Sequence, residues 1–252
     1  MNASASNINK TTCPSYAALS AALVALALLG STGAAAACSL NIGSGTTLTI
    51  SSGTVTTDCV DVAAGGKIVI TGSGTLILNG SGGNDESTID GRIILESCTS
   101  VLRISHNDHT FTGDGKIVGE CNTAQIAIDS GLTLTSNITI EGALQVRAAS
   151  ATFINGATGV VHANRTSGDQ ILTLYSGTFD DVDGAEWKVS ADGSAELYFR
   201  SGITVGTLDG DFTVNNGVLD LDVSVTTDGC LGFTGGQIQV APSCRFTVDC
   251  TN

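Results

Sequence analysis

The sequence has little proline, few charged residues and few aromatic residues. Of 252 residues, 2 are proline, 13% are charged and 4% are aromatic. Collagen requires glycine at every third position and abundant proline, so the 32 glycines do not indicate a collagen-like chain. Disordered chains lack apolar residues, whereas 42% of this chain is hydrophobic. What remains is a globular chain rich in Gly, Thr and Val, a composition typical of an all-β fold.

Positive charge is especially scarce. Lys and Arg number 10 against 24 Asp and Glu, which gives a formal net charge of −14. Proteins bind nucleic acids largely through phosphate contacts made by Lys and Arg, so we expect no nucleic-acid partner. The same repulsion disfavours anionic lipid surfaces and uronic-acid polymers as partners.

The chain has a single long apolar stretch, at residues 16–29, and this stretch is too short to span a bilayer. Lys10 precedes it, and a run of small residues follows it and ends at Ala37. This order of segments is that of a secretory signal peptide. We therefore predict that residues 1–37 are a signal peptide.

The mature protein is then one domain, residues 38–252, which is secreted and has no transmembrane segment. The alternative is a lipid anchor at Cys38, because small residues directly before a cysteine are similar to the cleavage site of bacterial lipoproteins.

Cysteine spacing predicts three disulfides, since an exported chain meets an oxidising environment. Three intervals after the leader are similar, at 21, 23 and 20 residues. The predicted pairs are Cys38–Cys59, Cys98–Cys121 and Cys230–Cys250. Cys244 is then left over, and the alternative is that it pairs with Cys230 or Cys250.

Short segments that begin with glycine and then alternate apolar and polar residues recur along the chain. Examples are residues 66–70, 91–95 and 142–146, and residues 219–225 show the clearest alternation. A period of two is that of a β-strand with one buried face. No window after residue 40 shows a convincing helical period.

Two all-β folds compete, a sandwich and a solenoid. The glycine-initiated segments and the cysteine intervals share a period of roughly 20 to 25 residues, which indicates stacked repeats. Residues one repeat apart in a solenoid lie about 4.8 Å from each other, a separation that a disulfide accepts. We therefore predict a single-stranded parallel β-helix (β-solenoid) of about 9 or 10 coils, right-handed by the crossover rule.

Residues 176–190, with the sequence SGTFDDVDGAEWKVS, resemble the repeats of secreted right-handed parallel β-helix proteins. Autotransporter passengers and filamentous-haemagglutinin-type adhesins carry similar runs. The resemblance covers most of residues 40–248 as a texture of composition and period, and it implies a fold more than a function. The C-terminal translocating barrel of the autotransporters has no counterpart in this sequence.

Some proteins of this fold are polysaccharide lyases or hydrolases, so the acidic residues are candidates for a site. Asp180, Asp181 and Asp183 form a cluster, and two more aspartates follow about one coil later, with Arg200 between. Carboxylate oxygens suit Ca²⁺, so these three aspartates are a candidate Ca²⁺ site. The alternative is a solvated turn. The sequence strings that mark pectin-type hydrolases do not occur.

Two further patterns allow a ligand or a structural interpretation. Trp187 is a candidate for stacking on a glycan, although the one-coil intervals from Tyr175 to Tyr198 and from Phe179 to Phe199 favour aromatic stacking inside the core. His106 and His109 lie between Cys98 and Cys121, which suggests zinc, but a disulfide with a polar loop is the expected arrangement.

These observations predict an extracellular structural or adhesive protein without catalytic activity. Its expected partners are glycans or other cell-surface components, and no cofactor is expected beyond the candidate Ca²⁺. The alternative is a β-helix enzyme that acts on polysaccharide, as the resemblance to pectin-lyase-like proteins implies.

Overall fold

The computed structural model describes residues 38–80, 85–190 and 194–250, so the predicted signal peptide at residues 1–37 lies outside the described residues. Within these ranges the secondary structure consists of β-strands, and no helix occurs.

The first strands in chain order are β1 (Leu40–Ile42), β2 (Thr47–Ile50), β3 (Thr54–Thr57), β4 (Val60–Val62), β5 (Lys67–Ile70), β6 (Thr75–Leu78), β7 (Glu86–Ile89), β8 (Arg92–Leu95), β9 (Val101–Ile104), β10 (His109–Thr112), β11 (Lys116–Ile128), β12 (Thr133–Ser136) and β13 (Thr139–Arg147). The remaining strands are β14 (Thr152–Asn155), β15 (Val160–Ala163), β16 (Ile171–Tyr175), β17 (Gly177–Asp181), β18 (Glu186–Ser190), β19 (Glu196–Phe199), β20 (Ile203–Val205), β21 (Thr207–Leu208), β22 (Asp211–Asn215), β23 (Gly217–Leu221), β24 (Val225–Thr227), β25 (Leu231–Phe233), β26 (Gly236–Val240) and β27 (Phe246–Val248).

Each turn of the chain contributes strands to three faces, and each strand pairs in parallel with the strand one turn away. The first face is an eight-stranded sheet from β1 to β20. The second face runs from β2 to β25 and the third from β3 to β26. These two faces form one 16-stranded sheet, because β11 and β13 continue through the corner between them. A small sheet of β21, β24 and β27 completes the last turns. The fold is therefore a parallel β-solenoid, as predicted.

The solenoid has about eight turns, fewer than the 9 or 10 expected from the sequence. Turn length varies more than a uniform period allows. Val60 pairs with Leu40, about 20 residues before it, whereas Leu172 pairs with Leu144, about 28 residues before it, because a loop precedes β16. The right-handed sense of the coil stays a prediction from the crossover rule.

Inward-facing side chains form apolar columns that run along the solenoid. On the second face Ile68, Ile93, Ile117 and Ile140 occupy successive rungs, and none of them has exposed surface. Complete burial of each such side chain stabilises the fold by roughly 1.5–3 kcal/mol relative to exposure. The alternation seen in the sequence is therefore the alternation between this core and the outer surface.

All three predicted disulfides are present, and each links adjacent turns. Their Cα–Cα distances are 5.0 Å, 5.0 Å and 4.8 Å for Cys38–Cys59, Cys98–Cys121 and Cys230–Cys250 respectively. Cys244 is a free cysteine, which confirms the prediction that it is left over. Such bonds indicate a protein that matures in an oxidising environment.

The disulfide at Cys38 contradicts the lipid-anchor alternative. The Sγ atom of Cys38 is bonded to that of Cys59, so it cannot also carry a thioether-linked lipid. A search of the described residues for helices able to cross a membrane also found none.

The corner between the first and second faces is built on stacked glycines. The carbonyl of Gly66 accepts a hydrogen bond from the amide of Arg92, and the carbonyl of Gly91 accepts one from Lys116. A Cβ atom at Gly91 would lie 2.3 Å from the carbonyl oxygen of Gly66. Any side chain at Gly91 would therefore push two turns apart.

We predict that Gly91→Ala lowers the free energy of unfolding by about 1–3 kcal/mol, the usual cost of forcing extra atoms into a packed region. The matched control is Gly43→Ala, whose nearest neighbour would lie 3.8 Å away. That change should alter stability by less than about 1 kcal/mol. Chemical denaturation of both variants is the measurement, and equal stabilities would contradict the packing of this corner.

Candidate ligand-binding face

The three predicted Ca²⁺ ligands occupy different environments. Asp181 is buried and Asp180 is half-buried. Asp183 is exposed, in the short loop that directly follows β17. The Asp181 carboxylate accepts hydrogen bonds from the indole N–H of Trp187 and from the backbone amides of Asp209 (2.5 Å) and Gly210 (3.1 Å). Burial raises the pKa of Asp181, and these hydrogen bonds oppose the rise. Asp181 thus joins two turns through hydrogen bonds within the protein.

Within residues 38–80, 85–190 and 194–250, one group of three side chains brings metal-binding atoms within 4.8 Å of one another, namely Cys98, Cys121 and Asp169. Both cysteines are in a disulfide, which confirms the expectation of a bond rather than a zinc site. The aspartate cluster is not such a group, and the Ca²⁺ site stays a prediction.

Trp187 cannot stack on a glycan in the folded protein, because its side chain has no exposed surface. Its ring lies in the core against Phe212, with ring centroids 6.2 Å apart, and against Phe199 at 5.5 Å. The prediction of aromatic stacking inside the core is therefore confirmed for Trp187. The two pairs inferred from the spacing are wrong, because Phe179 contacts Phe153 at 6.0 Å and Tyr175 contacts Arg200.

His109 is also a core residue rather than a ligand. Its side chain is buried, its Nε2 atom lies 2.8 Å from the hydroxyl of Ser87, and its ring packs edge-on against Phe111. Burial lowers the pKa of His109 to about 4, against an ordinary value of 6.5. The imidazole is therefore held neutral in the folded state at neutral pH.

Sequence reasoning missed a row of outward-facing residues on the third face that brings three arginines into line. Arg103 pairs with Ala127, Ala127 with Arg147, and Arg147 with Tyr175. Arg200 follows on the next turn, with its guanidinium 4.1 Å from the centre of the Tyr175 ring. We call these five residues the arginine row.

Neighbouring side chains hold the three guanidinium groups in place. Arg103 donates hydrogen bonds of 2.8 Å and 2.9 Å to the two carboxylate oxygens of Asp129, and this contact raises the pKa of Arg103 and lowers that of Asp129. The ring of Tyr175 contacts the guanidinium of Arg147, from the preceding turn, at 5.4 Å from its centre and that of Arg200, from the following turn, at 4.1 Å. Each such cation–π contact contributes roughly 0.5–1 kcal/mol at an exposed site. The arginines are thus oriented while Arg147 and Arg200 stay exposed.

A notch of about 290 Å³ interrupts the arginine row at Ala127, whose small side chain leaves space between Arg103 and Arg147. Asp129 is the one carboxylate among the residues that line the notch. Arg103 binds that carboxylate, whereas Arg147 is in none of the three salt bridges of the described residues. The notch therefore has one more positive group than negative, in a chain with a net charge of −14.

A second line of basic residues lies on the second face, where Lys67, Arg92 and Lys116 occupy successive turns. They border a groove of about 620 Å³. Three carboxylates line the same groove, those of Asp90, Asp114 and Glu141, and Lys116 contacts Glu141 at 2.6 Å. Positive and negative groups balance there, so this larger groove is less suited to an anion than the arginine row.

Comparisons with protein-family models, with curated proteins and with solved structures found no match.

We predict that Asp181→Ala lowers the free energy of unfolding by about 3 kcal/mol, because it removes the acceptor for the buried N–H donors of Trp187 and Gly210 and for the part-buried amide of Asp209. Asp183→Ala is the matched control and should change stability by less than about 0.5 kcal/mol. Chemical denaturation of both variants is the measurement, and equal losses would contradict the bridging role of Asp181.

We predict that His109 makes stability fall on acidification between pH 6.5 and pH 4. In this window the unfolded chain protonates His109 while the folded protein keeps it neutral, so protons favour unfolding. Below pH 4 both states are protonated and the loss stops, after a total of about 3 kcal/mol. Denaturation of wild type and His109→Gln across this range is the measurement. The difference between their free energies of unfolding should change with pH, and parallel profiles would refute the assignment.

Proposed function

We propose that this protein is a secreted or cell-surface structural and adhesive β-solenoid that binds glycans through the arginine row and has no catalytic activity. In this it resembles the autotransporter passengers and filamentous-haemagglutinin-type adhesins at the level of the fold. The three disulfides support a destination outside the cytoplasm.

The observation that supports adhesion best is the orientation of the guanidinium groups before any ligand arrives. Asp129 fixes Arg103, and the Tyr175 ring fixes Arg147 and Arg200. Groups that are already ordered lose less conformational entropy on binding, and this raises affinity. Arginine presents several N–H donors in one plane, which suits the oxygen atoms of carboxylate, sulfate and hydroxyl groups.

A second row on the same face, two residues before the arginine row in each strand, adds the hydrogen-bonding groups of Gln125, Gln145 and Tyr198. Gln125 and Gln145 are half-buried neighbours one turn apart. Tyr198 also faces outward, and its hydroxyl donates a hydrogen bond of 2.5 Å to Asp222, which raises the pKa of Tyr198 to about 12. The amide, phenol and guanidinium groups of this face can form hydrogen bonds with a polar polymer along several turns of the solenoid.

An array of immobilised glycans, probed with the purified protein, tests this proposal. We expect binding to a subset of glycans, and we expect the triple variant Arg103→Gln, Arg147→Gln, Arg200→Gln to weaken it by about tenfold or more. The matched control replaces Lys67, Arg92 and Lys116 by Gln, since it removes the same charge from the other face. This control should bind within about twofold of wild type.

Two results would contradict the proposal. One is the absence of binding to any glycan on the array. The other is the appearance of new reducing ends or unsaturated sugars when polysaccharides are incubated with the protein, since this would make it the polysaccharide-active enzyme of the alternative.

A further inference from the structure

The arginines of the row recur on every second turn. Arg103, Arg147 and Arg200 are separated by Ala127 and by Tyr175, each of which occupies the turn between. Successive turns are about 4.8 Å apart, so neighbouring arginines lie about 10 Å from each other along the solenoid. This distance is close to the length of two sugar residues in an extended polysaccharide.

We propose that the ligand of the arginine row is an acidic polysaccharide with one carboxylate or sulfate on every second sugar. This inference rests on the proposed glycan-binding function and names the ligand class. The net charge of −14 disfavours uronic-acid polymers in general, but the arginine row supplies local positive charge at which a sparsely charged polymer can bind. The polymer lies along the solenoid axis, across the strands of the third face, and its anionic groups meet the arginines in register.

The residues between the arginines explain why an anionic group on every sugar fits less well. An additional anionic group would lie beside Ala127, which offers no donor from its side chain, or beside Tyr175, whose ring already contacts two guanidinium groups. It would also bring more negative charge to a protein with a net charge of −14, without a local cation to offset it.

The notch over Ala127 leaves the guanidinium groups of the arginines on either side of it accessible. Arg103 and Arg147 border it, and Asp129 uses the Nε and one terminal nitrogen of Arg103, so the other terminal nitrogen and the exposed Arg147 are available. A carboxylate or sulfate that lies over either arginine can then accept a hydrogen bond from a guanidinium N–H that borders the notch. Hydrogen bonds between charged partners are the strong ones, which makes this the main source of affinity.

Calorimetric titration with three oligosaccharides of equal length tests the spacing. One is neutral, one is a glycosaminoglycan fragment with a uronate on alternate sugars, and one is an oligouronate with a carboxylate on every sugar. We expect the alternating oligosaccharide to bind about tenfold more tightly than either of the others. Arg147→Gln should remove most of that advantage, and the triple Gln variant on the second face should keep it.

Ala127→Arg is a gain-of-function variant for the same claim. It places a cation on the turn between Arg103 and Arg147, so that three successive turns carry arginine at about 5 Å spacing. The variant should bind the oligouronate more tightly than wild type does. The difference in affinity between the alternating oligosaccharide and the oligouronate should therefore become smaller. Ala127→Leu fills the notch without adding charge and should weaken binding of the alternating oligosaccharide.

The outcomes separate this inference from the proposed function. Two results would overturn the proposed match between the arginines and an anionic group on every second sugar. One is equal affinity for the alternating oligosaccharide and the oligouronate, and the other is that Ala127→Arg leaves the ratio of these two affinities unchanged. Preferential binding of the neutral oligosaccharide would overturn the acidic ligand and leave glycan adhesion standing. No binding of any oligosaccharide, together with a glycan array that shows none, would overturn both.

Discussion

Hydrogen bonds between parallel strands of successive turns are the constraint on which the rest of this structure depends. They fix residues one turn apart as neighbours at about 4.8 Å, on the inside and the outside of the solenoid alike. Inside, this spacing stacks Ile68, Ile93, Ile117 and Ile140 into one column. At the corners it brings cysteines within disulfide distance and leaves no room for a side chain at Gly91. Outside, it lines up polar groups that lie far apart in the sequence, and the arginine row is the result.

The sequence contains enough information to predict features that repeat with the turn. The intervals of 21, 23 and 20 residues between cysteines identify the three disulfides, because a covalent bond demands that its two residues lie on adjacent turns. The number of turns is harder to predict from the sequence. Loops at the corners lengthen some turns, as in the long step from Leu144 to Leu172, and such loops cost little free energy, so no uniform period is enforced.

The candidate site could be predicted only in part, for a related reason. Alternation does show the side of a strand on which a residue lies: Trp187 stands between Glu186 and Lys188, a pattern that places it inside, and its full burial follows. The register between strands determines which outward-facing residues become neighbours. Every variation in the length of a turn shifts that register. Arg147 and Tyr175 therefore could not be paired from spacing alone, although they lie side by side in the structure.

The arginine row requires a fixed register along the third face, and a distance between two spin labels measures that register. Thr56 and Arg200 lie at the same position in the strands of this face, six turns apart. Labels on Thr56→Cys and Arg200→Cys, in a Cys244→Ser background, should be measured by double electron–electron resonance. We expect a single narrow distribution that corresponds to about 29 Å between the two backbone positions. A distance shorter or longer by about 5 Å would mean one turn fewer or more between them, and that result would contradict the arginine row.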